Sequence, residues 1–330
     1  MPTEKYKIYI PQGMRISLAN DAERFEFYKG NGDINLNGFL KTMIVNYFRV
    51  YSTKRKQTHA DVVNTIIETI GIANDQAEDL ATNILNIFMD DYPELGGKNE
   101  AITLTVSGKA YDTLGLIEQS LRGTFSLSQY LRNLFSSYLA SSRSSREKVI
   151  FSEEYDEILG AIRGKKSISF FSTTSGERKY IVAPYAISSS KDEQYNYVLC
   201  YDLDAQTVRS FRLSRIKRLF VRTESFQLDQ ITIDNLKKAK VKGAQFAFAE
   251  SPKSSVKLTE KGLRKFRMIY TNRPEIIERN GNILTFEWPL LQLEEYFKRF
   301  GKDAIILEPK SSRENMIKFY SEAYEHYSNN

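Results

Sequence analysis

A structural unit is written twice in the first half of this chain. One copy runs MRISL (14–18), then ANDAERFEFYKGNGD, then INLNGFLKTMIVNYF (34–48); the other runs ITLTV (102–106), then SGKAYDTLGLIEQSLRGT, then FSLSQYLRNLFSSYL (125–139). Each opening segment alternates as a short strand does. Ile16 and Leu18, or Leu104 and Val106, share one face, while Arg15 and Ser17, or Thr103 and Thr105, share the other. Each closing segment follows a residue suited to cap a helix, Asn35 or Ser126, and is apolar at helical spacing: Leu36, Phe39, Leu40, Met43, Ile44 and Tyr47, against Leu127, Tyr130, Leu131, Leu134, Phe135 and Tyr138. One strand and two helices cannot bury such faces alone, so the two copies must pair.

Between the copies, residues 60–89 read as two helices. Val62, Val63, Ile66, Ile67 and Ile70 form one apolar stripe; Leu80, Ile84, Leu85, Ile87 and Phe88 form the next. The loop 90–100, with its Pro and Gly-Gly, resets the chain for the second strand, and the polar stretch SSRSSRE (141–147) marks a domain boundary. From about Ser255 the order is strand, helix, strand, helix, strand, helix, which predicts a small open-faced α/β sandwich. Trp288 and Phe286 on its second strand are core or interface residues, and Lys261, Arg264, Lys265 and Arg267 line its first helix.

The run RSFRLSRIKRLFVR (209–222) places six basic residues and no acid in fourteen positions. Phe211, Leu213, Ile216 and Leu219 punctuate it, so it reads as strand and not as a disordered basic tail. Upstream, in YNYVLCY (195–201), Tyr195, Tyr197, Leu199 and Tyr201 share one face. Guanidinium forks suit phosphate and tyrosine rings suit stacking, so the two segments together could hold a nucleotide or nucleic acid; equally, the arginines could solvate the outer face of a small barrel. On a regular strand Arg209 and Arg212 face opposite sides, and both can join Tyr197 only if the chain bends or bulges.

The chain has 330 residues, enough for two or three separate cores, and a formal charge of +6 that favours polyanionic partners. Its single cysteine, Cys200, lies within the aromatic strand as a small buried hydrophobe and excludes a disulfide framework. Neither His59 nor His326 has a companion at metal spacing, so no metal or other cofactor is expected. The string Gly164-Lys165-Lys166-Ser167 has Leu159 where a phosphate-binding loop needs its first glycine. Glu153 and Glu154 belong to no acid–base constellation, and a non-enzymatic protein is expected. No apolar stretch approaches the roughly eighteen residues of a membrane span, and the start MPTEKYKIYI lacks an apolar leader core, which points to a soluble, cytoplasmic protein.

The stretch from about Ile158 to Phe226, with AIRGKKSISFFSTTSGERKYIVAPYAI, YNYVLCYD and RSFRLSRIKRL, resembles the WYL domain, an Sm-like small β-barrel of bacterial regulators. Its naming tripeptide corresponds to Asn196-Tyr197-Val198, of which the tyrosine alone is kept. The family's arginine block is intact as Arg209, Arg212 and Arg215. The resemblance implies a ligand pocket of Tyr197, Arg209, Arg212 and Arg215, with Tyr185 beside them, for nucleic acid or nucleotides. The duplicated unit resembles the ribbon-helix-helix fold of bacterial repressors, which implies a two-stranded ribbon with Arg15, Ser17, Thr103 and Thr105 as readout positions and helix starts at Asn35–Asn37 and Ser126–Ser128 as phosphate contacts. The C-terminal third resembles the extension that follows many WYL domains and commonly supports dimerisation.

The expected fold class is therefore α+β multidomain. Residues 1–57 would form the first ribbon-helix-helix-like unit, 58–100 a helical connector, 101–145 the second unit, 146–230 the WYL domain and 231–330 a dimerising extension. This order resembles the WYL accessory proteins of type VI-D CRISPR systems. Such a resemblance implies a homodimer that binds single-stranded RNA, with single-stranded DNA as the other candidate, and enhances an RNA-guided RNA-targeting effector nuclease. A DNA-binding transcription regulator that senses a nucleotide or nucleic-acid ligand is the alternative.

Overall fold

The computed structural model describes residues 3–89, 97–121, 126–175, 178–190, 194–243 and 252–329. It is a mixed helix and sheet protein with three antiparallel sheets among the described residues. The chain divides into two compact units, residues 1–157 with 213–216, and residues 158–212 with 217–330.

In the first unit the duplication is physical, but its first strand lies earlier than the repeat suggests. β1 is Glu4–Pro11 and α1 is Gln12–Arg24, so Arg15 and Ser17 are helical. The alternation of MRISL is incidental. Met14, Leu18 and Ala22 recur at the i, i+4 spacing of a buried helix face, and Ile16, expected beside Leu18, is 53% exposed. Pro11, which has no N–H to give to a ladder, marks the start of the helix. α2 follows as Leu36–Ile70, then α3 as Asn74–Met89. The second copy is β2 (Asn99–Val106), α4 (Lys109–Leu121) and α5 (Leu127–Leu139). With the strand moved, both first helices have 13 residues.

β1 and β2 pair antiparallel, and the pairs Tyr6↔Leu104 and Ile8↔Ile102 exchange under a pseudo-two-fold through Lys7↔Thr103. Ile8, Ile10, Ile102, Leu104 and Val106 point inward and are buried. The helices honour the same symmetry. The Asn35 carboxamide oxygen accepts from the Gly38 N–H (2.9 Å) and the Ser126 hydroxyl from the Gln129 N–H (3.1 Å), as expected of helix caps. Two residues into each helix, a polar side chain then holds the strand of the other copy. Asn37 accepts from the Thr105 N–H (2.9 Å) and donates to the Thr105 carbonyl (3.2 Å), and Ser128 accepts from the Tyr9 N–H (3.1 Å). Behind the ribbon, Phe39, Leu40, Met43, Ile44 and Tyr47 are buried on α2, and Tyr130, Leu131, Leu134, Phe135 and Tyr138 on α5; the first-turn leucines, Leu36 and Leu127, are half-buried.

α2 is one continuous helix, so the expected boundary at 57/58 falls in its interior. Its second half packs Val63 and Ile66 against Ala77 and Ala81 of α3, and Gly71 ends it in the left-handed conformation (φ 72°). The side chains of Ile87 and Phe88 lie outside the described residues. α6 (Arg143–Ile150) brings Arg146 to Asp21, a buried ion pair at 2.9 Å joined by the Tyr138 hydroxyl, which donates to Asp21 at 3.3 Å. Burial pushes the Asp21 carboxyl up from its ordinary value, and the Arg146 guanidinium opposes that shift.

The second unit begins within α7 (Ser152–Gly164) and continues as β3 (Lys166–Ser172), β4 (Lys179–Ser189), β5 (Asn196–Asp202), β6 (Thr207–Arg212) and β7 (Ile216–Ser225), in the sheet order β6-β5-β4-β3-β7. The expected closed barrel is absent among the described residues. β6 passes through the 3-10 turn Leu213–Arg215 into β7, which joins the far edge beside β3 and leaves the sheet open. α8 (Gln230–Lys242) then packs Leu236 and Ala239 on the sheet.

A four-stranded sheet completes the unit: β8 (Lys253–Leu258), α9 (Glu260–Met268), β9 (Ile276–Asn280), β10 (Ile283–Glu287), α10 (Leu290–Lys298), β11 (Ala304–Glu308) and α11 (Lys310–Ser328), ordered β11-β8-β10-β9. This is a split β-α-β arrangement. β9 was not expected, because IIERN carries no alternation. Phe286 is wholly buried, and Trp288 packs half-buried against the same core. The Thr259 hydroxyl accepts from the Gly262 N–H (3.0 Å) and donates to Asp303 (3.0 Å), while Lys265 pairs with Asp303 at 2.7 Å. The contact is so close that a Cβ at Gly262 would collide with the Asp303 carbonyl oxygen. Gly262→Ala should therefore destabilise the protein by about 1–3 kcal/mol, the cost of overpacking, measured by denaturant titration.

Candidate nucleic-acid interface

Strand register decides which members of the basic run meet the tyrosines. In the β5–β6 ladder Tyr197 lies opposite Arg212, Leu199 opposite Ser210 and Tyr201 opposite Val208, so these share a face. The Arg212 guanidinium carbon stands 3.3 Å from the centroid of the Tyr195 ring, a cation–π contact. Tyr185 reaches this face from β4, at a register shift between Pro184 and Ala186. Tyr185, Tyr197 and Tyr201 are not open platforms, however. They are half-buried against a cluster of Leu199, Val208 and the α8 residues Leu236 and Ala239. What the face presents is half-buried tyrosines beside the Arg212 guanidinium.

Arg209 sits opposite Cys200 and faces the other way. Its Nε lies 2.8 Å from the buried Asp202 carboxylate, and its guanidinium lies 5.9 Å from the centroid of the Tyr180 ring. Tyr180 packs with Phe170 and Phe211. Cys200 is buried beside it, and its thiol is pushed well up from the ordinary value by burial. Arg215 occupies a third environment, the 3-10 turn that packs with the first unit. There its Nε lies 2.8 Å from Glu26, and the Ser214 N–H donates to the buried Glu147 (3.2 Å). The expected shared pocket is thus dispersed. Tyr197, Arg212 and Tyr185 share a face, Arg209 lies across the sheet, and Arg215 is held by Glu26.

Two further basic positions of the run are also occupied. Arg222 pairs with Glu224 at 2.9 Å, and Arg218, with a left-handed φ of 53°, lies 5.6 Å from the centroid of the Phe171 ring.

Residues 153–221 match the WYL domain family. The chain carries a WYL domain. A solved structure described as that of a CRISPR Cas-related protein is similar over the whole length, with 22% identity, a TM-score of 0.77, and coverage of 100% of this chain and 95% of that one. The proteasome accessory factor B/C of Arthrobacter aurescens aligns at 16% identity over 81% of this chain and 46% of that one, with a TM-score of 0.29, too low to bear on fold. Comparison with curated proteins gave no match. The first likeness establishes the fold of the entire chain, of which the WYL domain is the middle part.

The expected ribbon surface exists, with half of its residues different. On the β1–β2 ribbon, Thr103 lies opposite Lys7 and Thr105 opposite Lys5, so both threonines are on the outward face as expected. Arg15 and Ser17 are not: Arg15 forms an ion pair with Glu100, and the Ser17 hydroxyl donates to the Gly13 carbonyl (2.9 Å) within α1. Their places are taken by Lys5, Lys7 and Tyr9, all exposed, with the Lys7 ammonium 5.5 Å from the centroid of the Tyr9 ring. The alternation in KYKIYIP was the available signal.

The Arg209 pairing has a measurable consequence. Arg209→Ala should cost roughly 1–3 kcal/mol of stability by leaving the buried Asp202 carboxylate without its cation. Thermal denaturation of the variant checks this.

Proposed function

We propose that this WYL protein binds single-stranded RNA and enhances an RNA-guided, RNA-targeting CRISPR nuclease as a non-enzymatic accessory subunit. The observation that carries the reading is Arg212, its guanidinium carbon 3.3 Å from the centroid of the Tyr195 ring and its strand position opposite Tyr197. A guanidinium beside tyrosines suits a ligand that carries both phosphate and unpaired bases, since guanidinium recognises phosphate and aromatic side chains meet bases. The whole-length likeness to a CRISPR Cas-related protein supports a role beside such a nuclease.

The partner of this reading is a homodimer, with the C-terminal sheet as the joining surface. Leu291 on α10, Ile305 on β11, and Ile317 and Phe319 on α11 are exposed apolar side chains around that sheet, of the kind that a second copy covers. The proposed setting is cytoplasmic; among the described residues no helix is long and apolar enough to cross a membrane.

A second reading is favoured by the ribbon. Two strand-helix-helix copies with paired strands fit a ribbon-helix-helix unit, and Lys5, Lys7, Tyr9, Thr103 and Thr105 on its outward face would enter the major groove of duplex DNA in a transcription regulator.

The two readings separate in one titration. Full-length protein is titrated with matched single-stranded RNA, single-stranded DNA and duplex DNA at two salt concentrations. The accessory reading expects RNA to bind tightest and Arg212→Ala to weaken it about tenfold or more, consistent with roughly 1–3 kcal/mol per stacked base. Lys5→Ala with Lys7→Ala should leave RNA affinity nearly unchanged. Tighter duplex binding that the lysine pair abolishes would replace the first reading with the second.

A further inference from the structure

The C-terminal sheet carries a groove that neither reading uses. Its origin is topological. β9 is an edge strand with all five residues exposed, yet the register places Arg279 opposite Leu284 and Ile276 opposite Phe286, both of which point into the core. Arg279 and Ile276 therefore face the helix-covered side of the sheet at a margin the helices do not reach. α9 forms the opposite wall, and a groove of about 490 Å³ remains between them, within the size range of small-molecule sites.

The lining has two parts. Leu263 and Phe266 of α9 and Leu284 of β10 give it an apolar floor. Arg267 at the end of α9, Arg273 in the following loop and Arg279 on β9 bring three guanidinium groups to its rim, against the single acid Glu275. Among the described residues none of the three arginines is in a salt bridge. Arg273 is placed by Nη1 contacts of 3.5 Å to the Phe266 and Arg267 carbonyls at the end of α9, and Arg279 by an Nε hydrogen bond of 3.1 Å to the Gly281 carbonyl. Backbone carbonyls thus position two of the forks without neutralising them. This differs from the WYL run, where Arg209, Arg215 and Arg222 are each paired with a carboxylate.

We propose that this groove is a binding site for a nucleoside phosphate, with the phosphate held by Arg267, Arg273 and Arg279 and the base laid on the apolar floor. Planar guanidinium forks match phosphate oxygens in pairs, and an apolar floor beside them selects a phosphate that carries a flat, weakly hydrated group over the bare ion.

The test is calorimetric titration of the full-length protein with the four ribonucleoside 5′-monophosphates and, separately, with inorganic phosphate. At least one nucleotide should bind with one site per chain, at least tenfold tighter than phosphate. Arg267→Ala combined with Arg279→Ala, both exposed positions, should weaken that binding tenfold or more with an unchanged melting temperature. Arg212→Ala should leave it intact, which keeps this result independent of the RNA reading. The proposal is overturned if no nucleotide binds, if phosphate binds as tightly as the nucleotides, if Arg212→Ala abolishes binding, or if the double variant binds normally. A double variant that binds normally but changes oligomeric mass would reassign the groove to contact between copies.

Discussion

Successive residues of a strand point to opposite faces, and in this chain that alternation governs which charges can act together. The β5–β6 ladder pairs Tyr197 with Arg212 and Cys200 with Arg209. A spacing of three between the two arginines then forces one onto the α8-covered face and the other onto the Phe170–Tyr180–Phe211 face. No bulge in β6 relieves this, since its pairing with β5 is unbroken from Thr207 to Arg212. The strand ends there, and the 3-10 turn that follows carries Arg215 to Glu26. Three arginines of a run that looks uniform in charge are therefore separate fittings. Arg209 completes a buried carboxylate, Arg215 anchors a turn, and Arg212 is displayed on tyrosine.

The same alternation builds the N-terminal unit. Two strands supply five buried side chains on one side and an outward polar face on the other, but a two-stranded ribbon is not stable by itself. Crosswise hydrogen bonds from Asn37 to Thr105 and from Ser128 to Tyr9 tie each strand to the second helix of the opposite copy. Neither copy can be completed without its partner, which is the structural meaning of the duplication. The Asp21–Arg146 pair joins α1 to α6 behind this assembly, where burial makes the carboxylate costly unless the guanidinium is present.

Much of this was legible in the residues. The caps at Asn35 and Ser126, the apolar stripes of α2 and α5, β2, and most elements of the C-terminal sheet follow from spacing, because periodic burial leaves a periodic pattern. The opposition of Arg209 and Arg212 was also readable from period two. What escaped was decided by competition between patterns or by distant partners. MRISL alternates as well as KIYIP does, and only the burial of Met14, Leu18 and Ala22 on one helical stripe shows that the strand must precede it. β9 was missed because an edge strand with every residue exposed carries no hydrophobic signature. Neither Glu26 as the partner of Arg215 nor α8 as the cover of the tyrosines leaves a local trace, since both meet their targets through long-range packing.

Joining both strand-helix-helix copies in one chain has a consequence for what the ribbon can recognise. A two-fold through Lys7↔Thr103 relates Lys5 to Ala101, Lys7 to Thr103 and Tyr9 to Thr105. In each of these pairs the first copy supplies the larger side chain, and both lysines are on that side. Identical chains could not maintain such a difference, because every substitution would appear twice. Here the halves are free to diverge, and the outward face has become cationic and aromatic along one strand and small and neutral along the other. A palindromic duplex would present matching edges to unlike half-ribbons and satisfy only one of them. In the duplex-DNA reading the surface is better matched to a site without two-fold symmetry, whose phosphates meet Lys5 and Lys7 on one side.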